Sequence, residues 1–215
     1  MEKVKWMACI FLAITLVVNS KVDILAQEES RLAIEEIFPE EEVKKLEERA
    51  RNSCLYYDKD ENGELQLNLS RSTGTYPTRK GVILVTEDKY LDVFPLGHAA
   101  IVYSSSYVVE ALPKGVIMGA NNWYSSKDTC YGVTVKGTTV AADGVVAEWC
   151  YRQIGKDYNY NFLDVDTREN FYCSQLVWAG FKDNCGIDLN TIAFLGAVHP
   201  MELVDTDETG TIYIK

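Results

Sequence analysis

Three residues have the side-chain types that acyl-transfer chemistry needs: Cys173, His98 and Glu110. Cys173 begins a predicted apolar helix, and a helix N-terminus stabilises a thiolate because its free N–H groups and its dipole favour negative charge. His98 stands at the entrance of an apolar strand. Glu110 lies inside the next strand, where a carboxylate is costly unless it is paired or faces a polar cleft. An attacking thiolate, a proton-carrying histidine and a polar residue that orients the histidine are the parts of a cysteine hydrolase. Each residue alone also fits a structural role, and spacing by itself does not bring the three together.

The elements that must position these side chains are predicted to be a mixture of strands and helices. Apolar runs predict strands at 82–85, 99–103, 107–111, 116–118, 132–135 and 211–214, and helices at 30–50 (interrupted at Phe38-Pro39), 143–154 and 173–182. The turn at 104–106 is hairpin-like, so the strands that carry His98 and Glu110 are predicted to be antiparallel neighbours. No βαβ rhythm and no internal repeat is present. The predicted fold class is therefore α+β, an antiparallel sheet packed against helices.

Composition narrows the function classes. The 215 residues include 32 acidic and 21 Lys or Arg residues, with a net charge of -11, and 47% are hydrophobic, as in a globular domain. A nucleic-acid partner is not expected, because phosphate binding needs a cationic surface and no Lys/Arg cluster is present. The chain has only 2 histidines. We therefore expect neither a metal site nor a cofactor.

The N-terminus has the pattern of a secretory signal peptide. Lys3 and Lys5 precede the apolar run 7–18, which is shorter than the ~20 residues that a membrane-spanning helix needs. We assign residues 1–26 to this signal, with an uncleaved N-terminal anchor as the alternative. The protein is therefore predicted to be secreted or associated with the cell envelope.

Export makes disulfides possible. Five cysteines remain after removal of Cys9, namely Cys54, Cys130, Cys150, Cys173 and Cys185. Because five is odd, at least one thiol is not paired within the chain, and Cys173 is the natural free thiol. Cys150 is interpreted as a packing residue within a helix. Cys130 and Cys185 lie in polar contexts and could pair with each other or with Cys54, so the pairing stays open.

Two further features compete with this interpretation. The segment from Asp58 to Gly63 resembles the start of an EF-hand calcium loop, but Leu69 occupies the position where a bidentate Glu is needed. An acidic turn before a strand is therefore favoured over a calcium site. His199 precedes Pro200 and is interpreted as a surface or turn residue. His98 is then the one credible base.

The motifs around these residues resemble a known family. Gly155-Lys156-Asp157-Tyr158 and the downstream Phe171–Trp178 resemble the tyrosine loop and nucleophile helix of NlpC/P60-type cysteine hydrolases, and Gly97–Tyr103 resembles their histidine strand. The histidine strand follows the cysteine helix in ordinary members but precedes it here. The chain is therefore closer to the circularly permuted YiiX/YycO-like papain amidases and the related lecithin retinol acyltransferases. Asn159–Phe162 and Val108–Ala111 are also similar to the YycO-type pattern, and the resemblance covers roughly residues 76–200.

This resemblance implies a fold and a set of roles. The fold is a circularly permuted papain-like (NlpC/P60) domain, which we place at residues 57–215 after an N-terminal helical segment at 27–56, with the nucleophile at a helix N-terminus. The resemblance makes Cys173 the nucleophile, His98 the general base and acid, and Glu110 the residue that orients His98. Tyr158 would lie beside the reacting carbonyl and support the oxyanion or the substrate. The oxyanion glutamine of papain would fall at Thr167 and does not transfer.

Together these observations predict an exported cysteine hydrolase that cleaves an amide bond, with cell-wall peptides as the expected substrate. The expected partner is a peptide or acyl-amide substrate. One alternative is a lipid amidase or acyltransferase, in which Trp123-Tyr124 and Phe162-Leu163 would line an apolar groove. The other is a non-catalytic cell-envelope binding protein that keeps the fold.

Overall fold

A computed structural model describes residues 32–60, 62–69, 73–89 and 96–215. The predicted signal peptide and Cys9 lie outside the described residues. The chain divides between Pro39 and Glu40 into two compact units. In the first unit residues 32–37 are helical (α1), and the N–H of Phe38 donates to Ile34 O at 2.8 Å. The predicted interruption of the N-terminal helix at Phe38-Pro39 is confirmed.

The second unit contains the remaining helices and strands. Its helices are α2 (Glu40–Arg51), α3 (Trp123–Ser126), α4 (Val140–Tyr151), α5 (Cys173–Cys185) and α6 (Glu202–Asp205), and its strands are β1 (Ile83–Thr86), β2 (His98–Val102), β3 (Tyr107–Leu112), β4 (Gly115–Ala120), β5 (Tyr131–Val135) and β6 (Thr209–Ile214). All six strands match predicted ones. The four-residue helices α3 and α6 were not predicted, since they are too short to show a helical period. No helix in the described part of the chain is long and apolar enough to span a membrane.

Helix boundaries follow capping groups that periodicity does not show. Helix α4 begins before the predicted Asp143, because the Thr139 side chain accepts a hydrogen bond from the N–H of Ala142 at 3.2 Å. Helix α5 runs past the predicted Lys182 and ends at Gly186, which has a left-handed φ of 70°.

The strands form one antiparallel sheet in the order β4-β3-β2-β1-β5-β6. The apolar runs of β1 and β2 lie at its centre and are buried throughout. Ala100 pairs with Glu110 across β2 and β3. Because side chains alternate between faces, His98 and Glu110 are diagonal neighbours on one face of the sheet. The predicted hairpin and the predicted α+β class are confirmed.

The sheet packs against helices and contributes to a buried apolar cluster. Helix α5 packs on β2 and β3 and against α4. A buried cluster on the sheet consists of Val82, Leu84, Ala100, Val102, Val108, Trp123, Cys130 and Ile212. Cys130 thus belongs to the core and is fully buried, which corrects its placement in a polar loop. Cys150 is buried in α4 as predicted, with its sulfur 3.6 Å from Leu176 O. All five described cysteines are free thiols.

A buried ion pair ties the segment after α2 to the core. Lys59 Nζ lies 2.7 Å from Asp143 Oδ2, and both side chains are fully buried. Arg79 bridges Asp143 at 3.0 Å and Asp58 at 2.7 Å. The carboxylate oxygen of Asp60 accepts the N–H groups of residues 62 and 64 at 2.8 and 3.0 Å. The carboxylates of Asp58 and Asp60 therefore bind protein donors. The strand predicted after this turn is reduced to one bridge, between residues 56 and 67.

Candidate active site

The thiol of Cys173 lies at the first residue of α5 and is buried. Burial alone raises the pKa of this thiol. A hydrogen bond with His98, the charge of that ring, and backbone hydrogen bonds from Ala99 and Ser174 outweigh burial and lower the pKa below its ordinary value. The sulfur is therefore stabilised as a thiolate.

His98 stands at the start of β2, where the preceding Gly97 turns the chain. Gly97 has a φ of 71°, and a Cβ there would lie 2.3 Å from Thr86 O, so only glycine allows this approach. His98 Nε2 lies 2.6 Å from Glu110 Oε2. Because Nε2 is bonded to Glu110, we infer that Nδ1 is the ring nitrogen that forms the hydrogen bond with Cys173.

The imidazole of His98 is charged at neutral pH. Burial disfavours this charge, but hydrogen bonds and charge interactions with Cys173 and Glu110 raise the pKa of His98 to about 9. The two neighbours flank the ring as acceptors. The structure thus brings Cys173, His98 and Glu110 into one hydrogen-bonded row.

Tyr158 lies on a loop that hydrogen bonds fix on two sides. Backbone hydrogen bonds join Val116 to Lys156 at 2.8 Å and to Gly155 at 3.0 Å, and join Phe171 to Asp157 at 3.1 Å. The loop is therefore clamped between β4 and the start of α5. Burial, together with the charge of the neighbouring Cys173 sulfur, raises the pKa of Tyr158 well above its ordinary value. Its phenol therefore stays protonated and keeps its hydrogen-bond donor.

Comparison with known proteins identifies the family. Residues 81–207 match the model of the permuted papain-like amidase enzymes described as the YaeF/YiiX, C92 family. The chain belongs to this family. The predicted circularly permuted papain-like fold is confirmed, and the matched segment contains the Cys173–His98–Glu110 row and Tyr158.

Two relatives of this amidase-family chain are informative. The uncharacterized protein YycO of Bacillus subtilis (strain 168) is 29% identical over 159 residues, 71% of this chain. The match spans 63% of the length of that curated relative. The crystal structure of the metalloprotein yiiX from Escherichia coli O157:H7 superposes with a TM-score of 0.51 at 17% identity, over 64% of this chain and 98% of that chain. A likeness at this identity shows a shared fold.

Metal ligation in this amidase-family chain is a separate question from the fold. Within residues 32–60, 62–69, 73–89 and 96–215, no group of three or more His, Cys, Asp or Glu side chains is placed to hold a metal ion.

Trp123 contacts the site in a way that sequence reasoning missed. Its ring stacks on that of His98 at 5.5 Å between centroids and an interplanar angle of 29°, and it is 3% exposed. The Tyr76 hydroxyl accepts a hydrogen bond from the backbone N–H of Trp123 at 3.0 Å and donates one to Asn121 Oδ1 at 2.6 Å. Trp123 therefore covers the imidazole from within the core. Its neighbour Tyr124 is 54% exposed.

Gln175 connects the start of α5 to the loop after Tyr158. Its Oε1 accepts the N–H of Tyr172 at 3.1 Å and Asn159 Nδ2 at 3.0 Å. Its Nε2 donates to the carbonyls of residues 164 and 165 at 3.2 Å. Both ends of the Gln175 amide are bonded to protein groups, so this side chain does not take the place of the papain oxyanion glutamine. It fixes the start of α5 to the loop after Tyr158. Gln175 lies three residues after the N-cap Tyr172, which is the spacing of a capping box.

His199 is buried, not on the surface as predicted. Its ring Nδ1 accepts the backbone N–H of Met201 at 3.1 Å. The backbone N–H of His199 donates to Glu202 Oε2 at 2.7 Å. Burial lowers the pKa of His199 to about 3. The pre-proline context correctly indicated a turn but not the packing of Phe194 against this ring at 5.3 Å. His199 is neutral and belongs to the core.

Proposed function

We propose that the protein is a cysteine amidase in which Cys173 is the nucleophile, His98 the proton carrier and Glu110 the residue that orients His98. The observation that carries this proposal is the buried hydrogen-bonded row of these side chains, with Nε2–Oε2 at 2.6 Å. A thiolate–imidazolium pair is the reactive form of a cysteine hydrolase.

Acylation uses both members of this pair. The Cys173 thiolate attacks the carbonyl carbon of the amide, and its electron pair forms the C–S bond while negative charge moves to the carbonyl oxygen. The phenol of Tyr158 and the backbone N–H of Cys173, at the N-terminus of α5, are the proposed donors to this oxyanion. His98 then gives its Nδ1 proton to the amide nitrogen. The C–N bond breaks, the amine is released, and the acyl group remains on Cys173 as a thioester.

Deacylation reverses the direction of proton transfer. Neutral His98 takes a proton from water, and the resulting hydroxide attacks the thioester carbon. The C–S bond breaks, the carboxylic acid leaves, and the thiolate–imidazolium pair is restored. Glu110 keeps the ring in one orientation through both steps and stabilises its charged form.

The proposed substrate is an amide bond of a cell-wall peptide. The signal-like N-terminus and the similarity of the cysteine and tyrosine motifs to NlpC/P60 hydrolases support this choice. We also propose, from the signal-like N-terminus, that the protein works outside the cytoplasm, secreted or at the cell envelope.

The test is amine release from peptidoglycan fragments by the purified full chain. We expect Cys173→Ala to abolish release and Cys150→Ala to retain it, because Cys150 is an equally buried thiol whose pKa burial raises. Full activity of the Cys173 variant would refute the assignment. Turnover of acyl lipids but not of muropeptides would indicate a lipid amidase or acyltransferase. Binding to cell walls without any turnover would indicate a binding protein.

A further inference from the structure

One glycine of the sheet has no conformational reason to be glycine. Gly119 lies inside β4, opposite Val108 of β3. It is not among the glycines with a left-handed φ, so other residues can adopt its backbone conformation. Glycine inside a strand weakens the strand and often marks the close approach of another group. The group that approaches Gly119 should therefore explain its presence.

That group is the carboxylate of Glu110. A Cβ at residue 119 would lie 1.8 Å from Glu110 Oε1 and 2.9 Å from its Cδ. The next nearest atom, Val108 Cγ2, is 3.2 Å away. The carboxylate thus occupies the volume of the missing side chain with one oxygen, while its other oxygen holds His98 Nε2 at 2.6 Å.

We propose that Gly119 is a positioning residue for the Glu110–His98 hydrogen bond. A methyl group at residue 119 collides with the far end of a flexible side chain, not with backbone. The easiest relief is rotation of the Glu110 side chain, which disturbs the packing of the sheet little but moves Oε2 away from the imidazole. This inference rests on the proposed function, because it assigns Gly119 a role through Glu110.

The experiment compares Gly119→Ala, Glu110→Gln and the double variant in the full chain. The measurement is the pKa of His98, followed by NMR of the imidazole carbons across pH 5 to 10. His199 is a convenient internal reference because burial lowers its pKa to about 3. The matched control is Gly144→Ala in α4, where a Cβ meets nothing within 4 Å.

We expect Gly119→Ala to lower the His98 pKa by about one unit or more, as loss of an adjacent opposite charge does, with a melting temperature close to that of the parent. Gly144→Ala should leave the His98 pKa unchanged. The double variant should match Glu110→Gln, because both changes act on one contact. If Gly119→Ala unfolds the protein, Glu110→Ala in the same chain should restore folding by removing the collision.

Three results would overturn the inference: an unchanged His98 pKa in folded Gly119→Ala, effects that add in the double variant, or no rescue of an unfolded variant by Glu110→Ala. The proposed function has a separate point of failure. If Glu110→Gln itself leaves both the His98 pKa and amide hydrolysis unchanged, the role of Glu110 in the reaction fails as well.

Discussion

Replacing Glu110 with glutamine tests how the site keeps His98 charged. The substitution preserves the shape of the side chain and removes its negative charge. The side chains of His98 and Glu110 are 5% and 12% exposed, so water screens their interaction little. Loss of an opposite charge at this range lowers a pKa by about one to three units, with each unit equal to about 1.4 kcal/mol.

The expected result is a His98 pKa well below the value of about 9 in the parent chain. The sign follows from the charges, because a carboxylate favours the imidazolium and its removal favours the neutral ring. Direct NMR titration of the two histidines measures the change. In amide hydrolysis, the alkaline limb of kcat/KM should move to lower pH by the same amount, since leaving-group protonation needs the charged ring.

A titration in which Glu110→Gln leaves His98 at its parental pKa would contradict this reasoning. It would mean that the thiolate of Cys173 alone keeps the ring charged. The companion variant Cys173→Ala separates the two contributions. We expect it also to lower the His98 pKa, because Cys173 is the larger of the two favourable influences.

Further predictions concern the Cys173 thiol, the Gln175 amide and the Lys59–Asp143 ion pair. Iodoacetamide near pH 6 should alkylate Cys173 faster than the buried Cys150, because only the former has a lowered pKa; equal rates in peptide mapping would contradict the ion pair. Gln175→Leu should destabilise the fold by about 2–4 kcal/mol in urea unfolding, since it strands buried N–H and carbonyl groups, and an unchanged midpoint would argue against its anchoring role. Asp143→Ala should cost about 3–5 kcal/mol by leaving the buried Lys59 charge without this partner, and the added variant Lys59→Met should recover part of that loss.

Local patterns were sufficient to predict the strands and one contact of the candidate active site. Alternating and continuous apolar runs predicted all six strands, because the sheet buries them in the way these patterns require. The short serine turn made β2 and β3 antiparallel neighbours. That register, with Ala100 opposite Glu110, is what brings the carboxylate beside His98. The His98–Glu110 pair was therefore predictable from local sequence.

Contacts between distant segments were beyond such patterns. Trp123 covers His98 because a hydrogen bond from its backbone to Tyr76 holds the short helix α3 in place, and residues 47 positions apart give no periodic signal. The prediction that His199 lies at the surface was wrong. Its local context suggested exposure, but the packing of the chain after α5 buries it.

The positions of Cys173 and Glu110 relative to each other are set by backbone connections. The loop carrying Tyr158 is bonded to β4 through Val116 and to the start of α5 through Phe171. Strand β4 pairs with β3, which carries Glu110. Main-chain hydrogen bonds therefore connect the strand of Glu110 to the helix of Cys173 without relying on the side chains of the candidate site. An active site gains from such fixed geometry, because donors and charges that are already in place need no reorganisation during the reaction. The sequence indicated the side chains that we propose to react, whereas their alignment depends on a glycine, a buried glutamine and a loop fixed at both ends, and these contacts are visible only in the folded chain.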